Sequence, residues 1–296
     1  MRTYKVVDVF SSRPFKGNPV AVVLDADGLS CQQMQEIAGW TNLSETTFLL
    51  PATESGADYR LRIFTPRYEL PFAGHPTLGS AHAALEAGKI KPRDGYMVQE
   101  CMQGLVRISV ATKGKTPGLT LDLPPAEITP LTSDDIDELE AIIGQNVLRD
   151  AVPAVVNVGP LWVVAQLQDA ASLLSLEPDF ARSARFEKRL GVTGLSLFGE
   201  HAKGTDTAIE VRSFAPSSGV DEDPVCGSGN GSVAVFRARH GQIPHAGGEY
   251  FASQGQKVGR DGRINVKVDS DGRVRIGGDC VTSVDGQLFD DTLVNG

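Results

Sequence analysis

The feature that most limits how this chain can fold is a pattern that occurs twice. Arg62-Ile63-Phe64-Thr65-Pro66 is followed by Pro71-Phe72-Ala73-Gly74, and Arg212-Ser213-Phe214-Ala215-Pro216 by Pro224-Val225-Cys226-Gly227. The leading strings lie 150 positions apart (62 to 212) and the trailing ones 153 (74 to 227), so the later loop is three residues longer. Each copy reads as strand, loop, then helix start. A duplicated domain with one loop insertion gives this spacing, whereas two chance strings would not both be followed by helix-like segments.

A chain of 296 residues, 41% hydrophobic and 22% charged, has the composition of a well-packed globular protein and the length of two domains. Alternating or continuous apolar runs at Lys5–Phe10, Asn18–Leu24, Thr47–Leu50 and Tyr59–Thr65 predict strands. Ser30 is a plausible N-cap for a helix over Cys31–Trp40, and Leu78, Ala81, Ala84 and Leu85 recur at helical spacing over Pro76–Ala87. Further strands are expected at Val106–Ala111, Gly118–Leu123 and Leu161–Leu167, with helices at Ser133–Ile143 and Pro178–Leu190. The second half adds strands at Gly194–Phe198 and Thr207–Phe214, a helix over Asn230–Arg239, and strands near Glu249–Ser253, Arg263–Val268, Arg273–Ile276 and Thr282–Leu288.

Several function classes are disfavoured. A formal charge of -9 without a basic cluster argues against nucleic acid, whose phosphates demand grouped Lys and Arg. The opening residues lack a signal-peptide core, and no apolar run approaches membrane-spanning length, so a cytoplasmic protein is expected. Cys31, Cys101, Cys226 and Cys280 are too scattered for a disulfide framework. His75, His82, His201, His240 and His245 show no ligand spacing, so no metal is expected.

The two glycine-containing loops carry the chemistry. Gly74-His75-Pro76-Thr77 and Gly227-Ser228-Gly229-Asn230 each open a helix, where amide N–H groups and the positive end of the macrodipole attract an anion. Together they suit a small carboxylate, although simple helix capping would use the same residues. His75 comes with the first loop, Asp223 and Ser228 with the second. Glu45, in Asn42-Leu43-Ser44-Glu45-Thr46, precedes an apolar strand, and partial burial would raise its pKa toward that of a general base. Taken alone, it reads more readily as a solvated loop residue, since most glutamates are exposed.

With these residues in hand, the chain resembles the PhzF-like (phenazine biosynthesis) isomerases of the diaminopimelate epimerase-like superfamily over essentially its whole length. The resemblance rests on Phe15-Lys16-Gly17-Asn18-Pro19-Val20-Ala21-Val22-Val23, Asn42-Leu43-Ser44-Glu45-Thr46, Phe72-Ala73-Gly74-His75-Pro76-Thr77-Leu78-Gly79 and Glu222-Asp223-Pro224-Val225-Cys226-Gly227-Ser228-Gly229. It implies an α+β fold of two pseudo-repeated domains, each a curved, mostly antiparallel sheet around a central helix, with the site between them and commonly a homodimer. The expected division is 1–120, completed by a strand at about 282–296, and 121–281. The resemblance further implies Glu45 as the base that removes and redelivers a proton, with His75, Asp223 and Ser228 assisting. Asn18, Ser44, Gly74, Gly227 and Gly229 are then expected to bind substrate, without a cofactor.

One departure bears on mechanism. The second loop resembles that of the racemases in which two thiols act from opposite faces of the substrate, but the repeat aligns Cys226 with Ala73, so a two-thiol mechanism is not available. Cys226 at a helix N-terminus could have a lowered pKa and act as a second base, or be a small buried residue. The alternatives to an isomerase are therefore an amino-acid or hydroxyproline-type epimerase using Glu45 and Cys226, and a non-catalytic metabolite-binding protein.

Overall fold

A computed structural model describes residues 1–113 and 116–289. The chain forms two compact units, one of Met1–Leu121 with Gly277–Gly296, the other of Asp122–Ile276. The first runs β1 (Arg2–Val9), β2 (Asn18–Val23), α1 (Cys31–Thr41), β3 (Thr46–Leu50), β4 (Tyr59–Phe64), β5 (Glu69–Leu70), α2 (Gly74–Glu86), β6 (Tyr96–Cys101), β7 (Gly104–Lys113) and β8 (Thr116–Asp122). Then follow β9 (Glu127–Pro130), α3 (Ser133–Ile143), β10 (Ala154–Asn157), β11 (Leu161–Gln166), α4 (Ala170–Leu174), α5 (Phe180–Leu190), β12 (Gly194–Glu200) and β13 (Ile209–Ala215). The chain continues through β14 (Val220–Asp223), α6 (Gly227–Arg239), β15 (Gly248–Gln254), β16 (Gly262–Val268), β17 (Val274–Gly278) and β18 (Cys280–Leu288). Of the closing strand expected at about 282–296, residues 290–296 lie outside the described residues.

The two units repeat one order of pairings. In the first, β1 is antiparallel to β2, β2 parallel to β3, β3 antiparallel to β4, β4 parallel to β6 and β6 antiparallel to β7. In the second, β10, β11, β12, β13, β15 and β16 follow the same sequence of senses. Register makes the match residue by residue: Phe64 sits opposite Thr46 as Phe214 does opposite Leu195, and Tyr59 beside Gln99 as Ile209 does beside Ala252. Tyr59 and Ile209 differ by 150, Gln99 and Ala252 by 153, which places the three extra residues between these strands in the second unit.

A matching ion pair brackets each of these loops. Arg62 Nε and Nη2 donate to the two carboxylate oxygens of Glu69 (2.7 and 2.6 Å), and Arg212 does the same to Glu222 (3.0 and 2.7 Å). The fork of a guanidinium matches a carboxylate edge to edge, so each pair fixes the short return strand on the strand before it.

Strand pleat sends neighbouring side chains to opposite faces, and both units exploit this. On β3, Phe48 joins Met34 and Ala38 of α1 in one apolar cluster, while Thr47 bonds the Ser80 hydroxyl of α2 (2.8 Å). On β12, Leu195 and Leu197 join the cluster containing Leu139 and Phe186 of α3 and α5, while Ser196 lies near the start of α6. In α2 every residue from His75 to Ala84 is buried, the mark of a central helix. Gly79 permits this approach, because a Cβ there would fall 2.3 Å from Val20 Cγ1.

Both central helices begin at the glycines of the two loop motifs, Gly74 and Gly227, ahead of the apolar spacing that starts at Pro76 and near Asn230. Glycine is a poor helix former in isolation, and burial of the residues that follow, from His75 in α2 and from Gly229 in α6, outweighs that preference. Strands β6 and β10 and helix α4 were not expected; in β6 the fully buried Gln99 breaks the apolar pattern because it bonds Thr77 and Tyr59.

Candidate active site

In the first unit, α1 ends on Asn42 in the left-handed conformation (φ 54°), which turns the chain sharply toward β3. Glu45 stands at the entry to that strand, where its carbonyl accepts from the Ala21 amide (3.3 Å). Its carboxylate Oε2 lies 3.3 Å from Nε2 of His75, and the two side chains are only 15% and 10% exposed. Burial penalises the carboxylate and pushes its pKa up to about 7, with a hydrogen bond from Ser44 opposing the shift.

His75 is the second residue of α2. The residue before the helix, Ala73, makes no side-chain hydrogen bond to the first turn, and the amides of such a turn and the positive end of the helix dipole attract anions in general. Pro76 costs nothing here, since a first-turn N–H lacks an intrahelical acceptor anyway. Asn18 is buried at the start of β2, the strand that carries Ala21. The loop before it is held by Asp8, whose carboxylate accepts from the amides of Phe15 (3.1 Å) and Gly17 (3.2 Å) and from the Ser283 hydroxyl.

In the second unit, Asp223 ends β14 and its carboxylate accepts from the Val225 amide (3.0 Å), shaping the turn into α6. Cys226 is the N-cap: its thiol accepts from Gly229 N–H (3.3 Å) and lies 3.6 Å from the Ser228 hydroxyl. Gln254 ties the loop together, accepting from the Cys226 amide (3.1 Å) and donating to the Asp223 carbonyl (2.9 Å). Gly229 is required by close packing, because a Cβ would fall 2.7 Å from Ser213 Oγ and 2.8 Å from Ser196 Oγ.

Of the two readings of Cys226, a thiol acidified at a helix N-terminus or a small buried residue, the surroundings favour the second. Cys226 is buried, and desolvation, assisted by the nearby Asp223 charge, pushes the thiol up; the Gly229 amide opposes this without overcoming it. The structure thus brings Ser44, Glu45 and His75 together in one unit, and Asp223, Cys226, Gly227, Ser228 and Gly229 in the other. Sequence reasoning missed Gln254 and Trp162; the latter's indole N–H donates to Ser228 Oγ (3.1 Å), and within an apolar strand no local signal marks it.

Among the described residues, no group of three or more His, Cys, Asp or Glu is placed to hold a metal ion, and no helix is long and apolar enough to cross a membrane.

Two α+β units of repeated topology, each with a central helix opening on a glycine loop, define the diaminopimelate epimerase-like fold. The phenazine biosynthesis-like (PhzC-PhzF) family model matches residues 7–286, and the chain belongs to that family of isomerases. It is 35% identical to trans-2,3-dihydro-3-hydroxyanthranilate isomerase of Pseudomonas aeruginosa, over 98% of this chain and 100% of that one. It is 40% identical to antisense-enhancing sequence 1 of Schizosaccharomyces pombe, over 97% and 98% respectively. Among solved structures, a Bacillus anthracis phenazine biosynthesis protein of the PhzF family superposes with a TM-score of 0.88 at 23% identity, covering 98% of this chain and 99% of that one.

Proposed function

We propose that this protein is a cofactor-independent isomerase of a small carboxylate, in which Glu45 removes a proton from one carbon of the substrate and returns it to another. The observation that carries this reading is the buried Glu45–His75 pair at the uncapped start of α2. A carboxyl group with a pKa near 7 is divided between acid and base at neutral pH, which suits a group that must both take and give the same proton. His75 stands within reach to donate to the charge that develops when the proton leaves, and the helix amides favour an anionic substrate. Family resemblance supports His75, Asp223 and Ser228 as assisting residues and Asn18, Ser44, Gly74, Gly227 and Gly229 as substrate-binding ones. The printed activity of the Pseudomonas relative supports trans-2,3-dihydro-3-hydroxyanthranilate as the first substrate to test. Family resemblance supports a homodimer. The raised thiol of Cys226 weighs against an epimerase that would use it as a second base.

The test is incorporation of solvent deuterium, followed by mass spectrometry, with wild type and Glu45→Gln incubated in heavy water with that compound and with a panel of amino and imino acids. Glu45-dependent label in the cyclic diene supports the isomerase. Label at an amino-acid α-carbon with inversion overturns it in favour of the epimerase, and no label in any compound removes the support for a catalytic reading with these substrates.

A further inference from the structure

The two central helices carry different residues at their second position, His75 on α2 and Ser228 on α6, and the repeat makes these positions equivalent (74 to 227 for the preceding glycines). In the first unit the residue at the entry to β3, Glu45, reaches His75. The residue at the corresponding entry to β12 is Gly194, which has no side chain to reach Ser228. The space is taken by an indole. Trp162 on β11 lies with its ring against Gly194, where a Cβ would fall 2.9 Å from Trp162 Cζ3 and 2.1 Å from the Phe214 carbonyl oxygen. Trp162 is 3% exposed and is paired on both sides, with Val156 of β10 and Gly194 of β12, so the ring sits on a fixed backbone.

We infer that Trp162 is a positioning residue for Ser228: its indole N–H fixes the hydroxyl oxygen so that the Ser228 O–H is presented to an oxygen of the substrate carboxylate. An indole N–H can only donate, so the 3.1 Å bond uses Ser228 Oγ as an acceptor and leaves the hydroxyl proton to be given elsewhere. Cys226 Sγ lies 3.6 Å from the same hydroxyl oxygen. Sulfur accepts weakly, and a charged carboxylate oxygen arriving at the helix start takes the proton in preference. The inference rests on the assisting role given to Ser228 above.

A double-mutant cycle on turnover of trans-2,3-dihydro-3-hydroxyanthranilate tests it, using Trp162→Phe, Ser228→Ala and the combined variant. Trp162→Phe is expected to raise KM about five-fold with kcat nearly unchanged, the scale of one neutral hydrogen bond. In the Ser228→Ala background the same change is expected to add nothing. An equal loss in both backgrounds would mean that the indole acts through packing, and overturns the inference. If Ser228→Ala impairs binding while Trp162→Phe does not, the inference falls and the role of Ser228 stands. Full activity in Ser228→Ala removes the assignment of Ser228 itself, and this inference with it. A second measurement leaves Trp162 intact. The only other tryptophan is Trp40, exposed on α1, so in Trp40→Phe the emission belongs to Trp162 alone. The same compound is expected to shift that emission and to lose the effect on adding Ser228→Ala; a shift that survives Ser228→Ala contradicts the coupling.

Discussion

Glu45 and Gly194 occupy the same place in the two repeated units: each stands one residue before the strand position that faces the shared phenylalanine, Thr46 opposite Phe64 and Leu195 opposite Phe214. One copy holds a buried carboxyl group there and the other holds none. The duplicated framework therefore carries a single candidate base at this position, and the second copy devotes the equivalent space to the ring of Trp162.

The asymmetry should be measurable in stability. The Glu45 carboxyl has an ordinary value of 4.5 raised to about 7 in the fold, so between those limits the native state holds its proton more tightly than the unfolded chain. Its contribution is fully present below about 4.5 and is lost as pH rises through 7, at a cost on the order of 3 kcal/mol. Glu45→Gln removes the ionisation, so the variant should match wild type at pH 4 and unfold at higher denaturant concentration at pH 8. Equal midpoints at both pH values would show that the carboxylate is not desolvated.

The same group sets the pH dependence of activity. If Glu45 must be ionised in the free enzyme to accept a proton, kcat/KM should rise with pH through an apparent pKa near 7, and Glu45→Gln should lower kcat at least 100-fold. A rising limb centred near 4.5 instead would place the base in a solvated setting.

How far the sequence carried depended on how local each determinant is. The cap of α1 was legible because Ser30 and Gln33 satisfy each other's backbone within four residues. The repeat was legible because its markers are local, Arg62 and Gly74 in one copy and Arg212 and Gly227 in the other lying no more than 15 positions apart. The environment of Glu45 was not, since its burial depends on the start of a helix 30 positions later (45 to 75), and only family resemblance singled it out. Trp162 escaped for a stronger form of that reason, its partner lying 66 positions away. For Cys226 the sequence left two readings open, because proximity to a helix terminus is visible in sequence while desolvation is not, and its burial in the fold favours the small buried residue.

The two Arg–Glu pairs differ in depth, and the difference should appear on mutation. Arg212 and Glu222 side chains are 4% and 7% exposed, and Arg212 Nη1 also donates to the carbonyls of Leu173 (3.2 Å) and Leu176 (2.8 Å). Glu222→Gln leaves a buried guanidinium short of its counter-charge and should cost about 3 kcal/mol or more. Glu69→Gln, opposite the partly exposed Arg62, should cost about 1 kcal/mol. Chemical denaturation of both variants at one pH decides this, and equal costs would contradict the burial argument.

Two glycines of α2 separate packing from binding. Gly79→Ala would drive a methyl group to within 2.3 Å of Val20 Cγ1 and 3.0 Å of Val9 Cγ2, and should destabilise by about 1 to 3 kcal/mol. At Gly74 a Cβ meets nothing within 4 Å, so Gly74→Ala should fold as stably as wild type. If the first-turn amides of α2 receive a carboxylate, the added methyl group at Gly74 intrudes on that approach, and KM should rise while the denaturation midpoint stays fixed. An unchanged KM in Gly74→Ala would remove this helix start from substrate binding, and a lowered midpoint would assign the glycine to the fold instead.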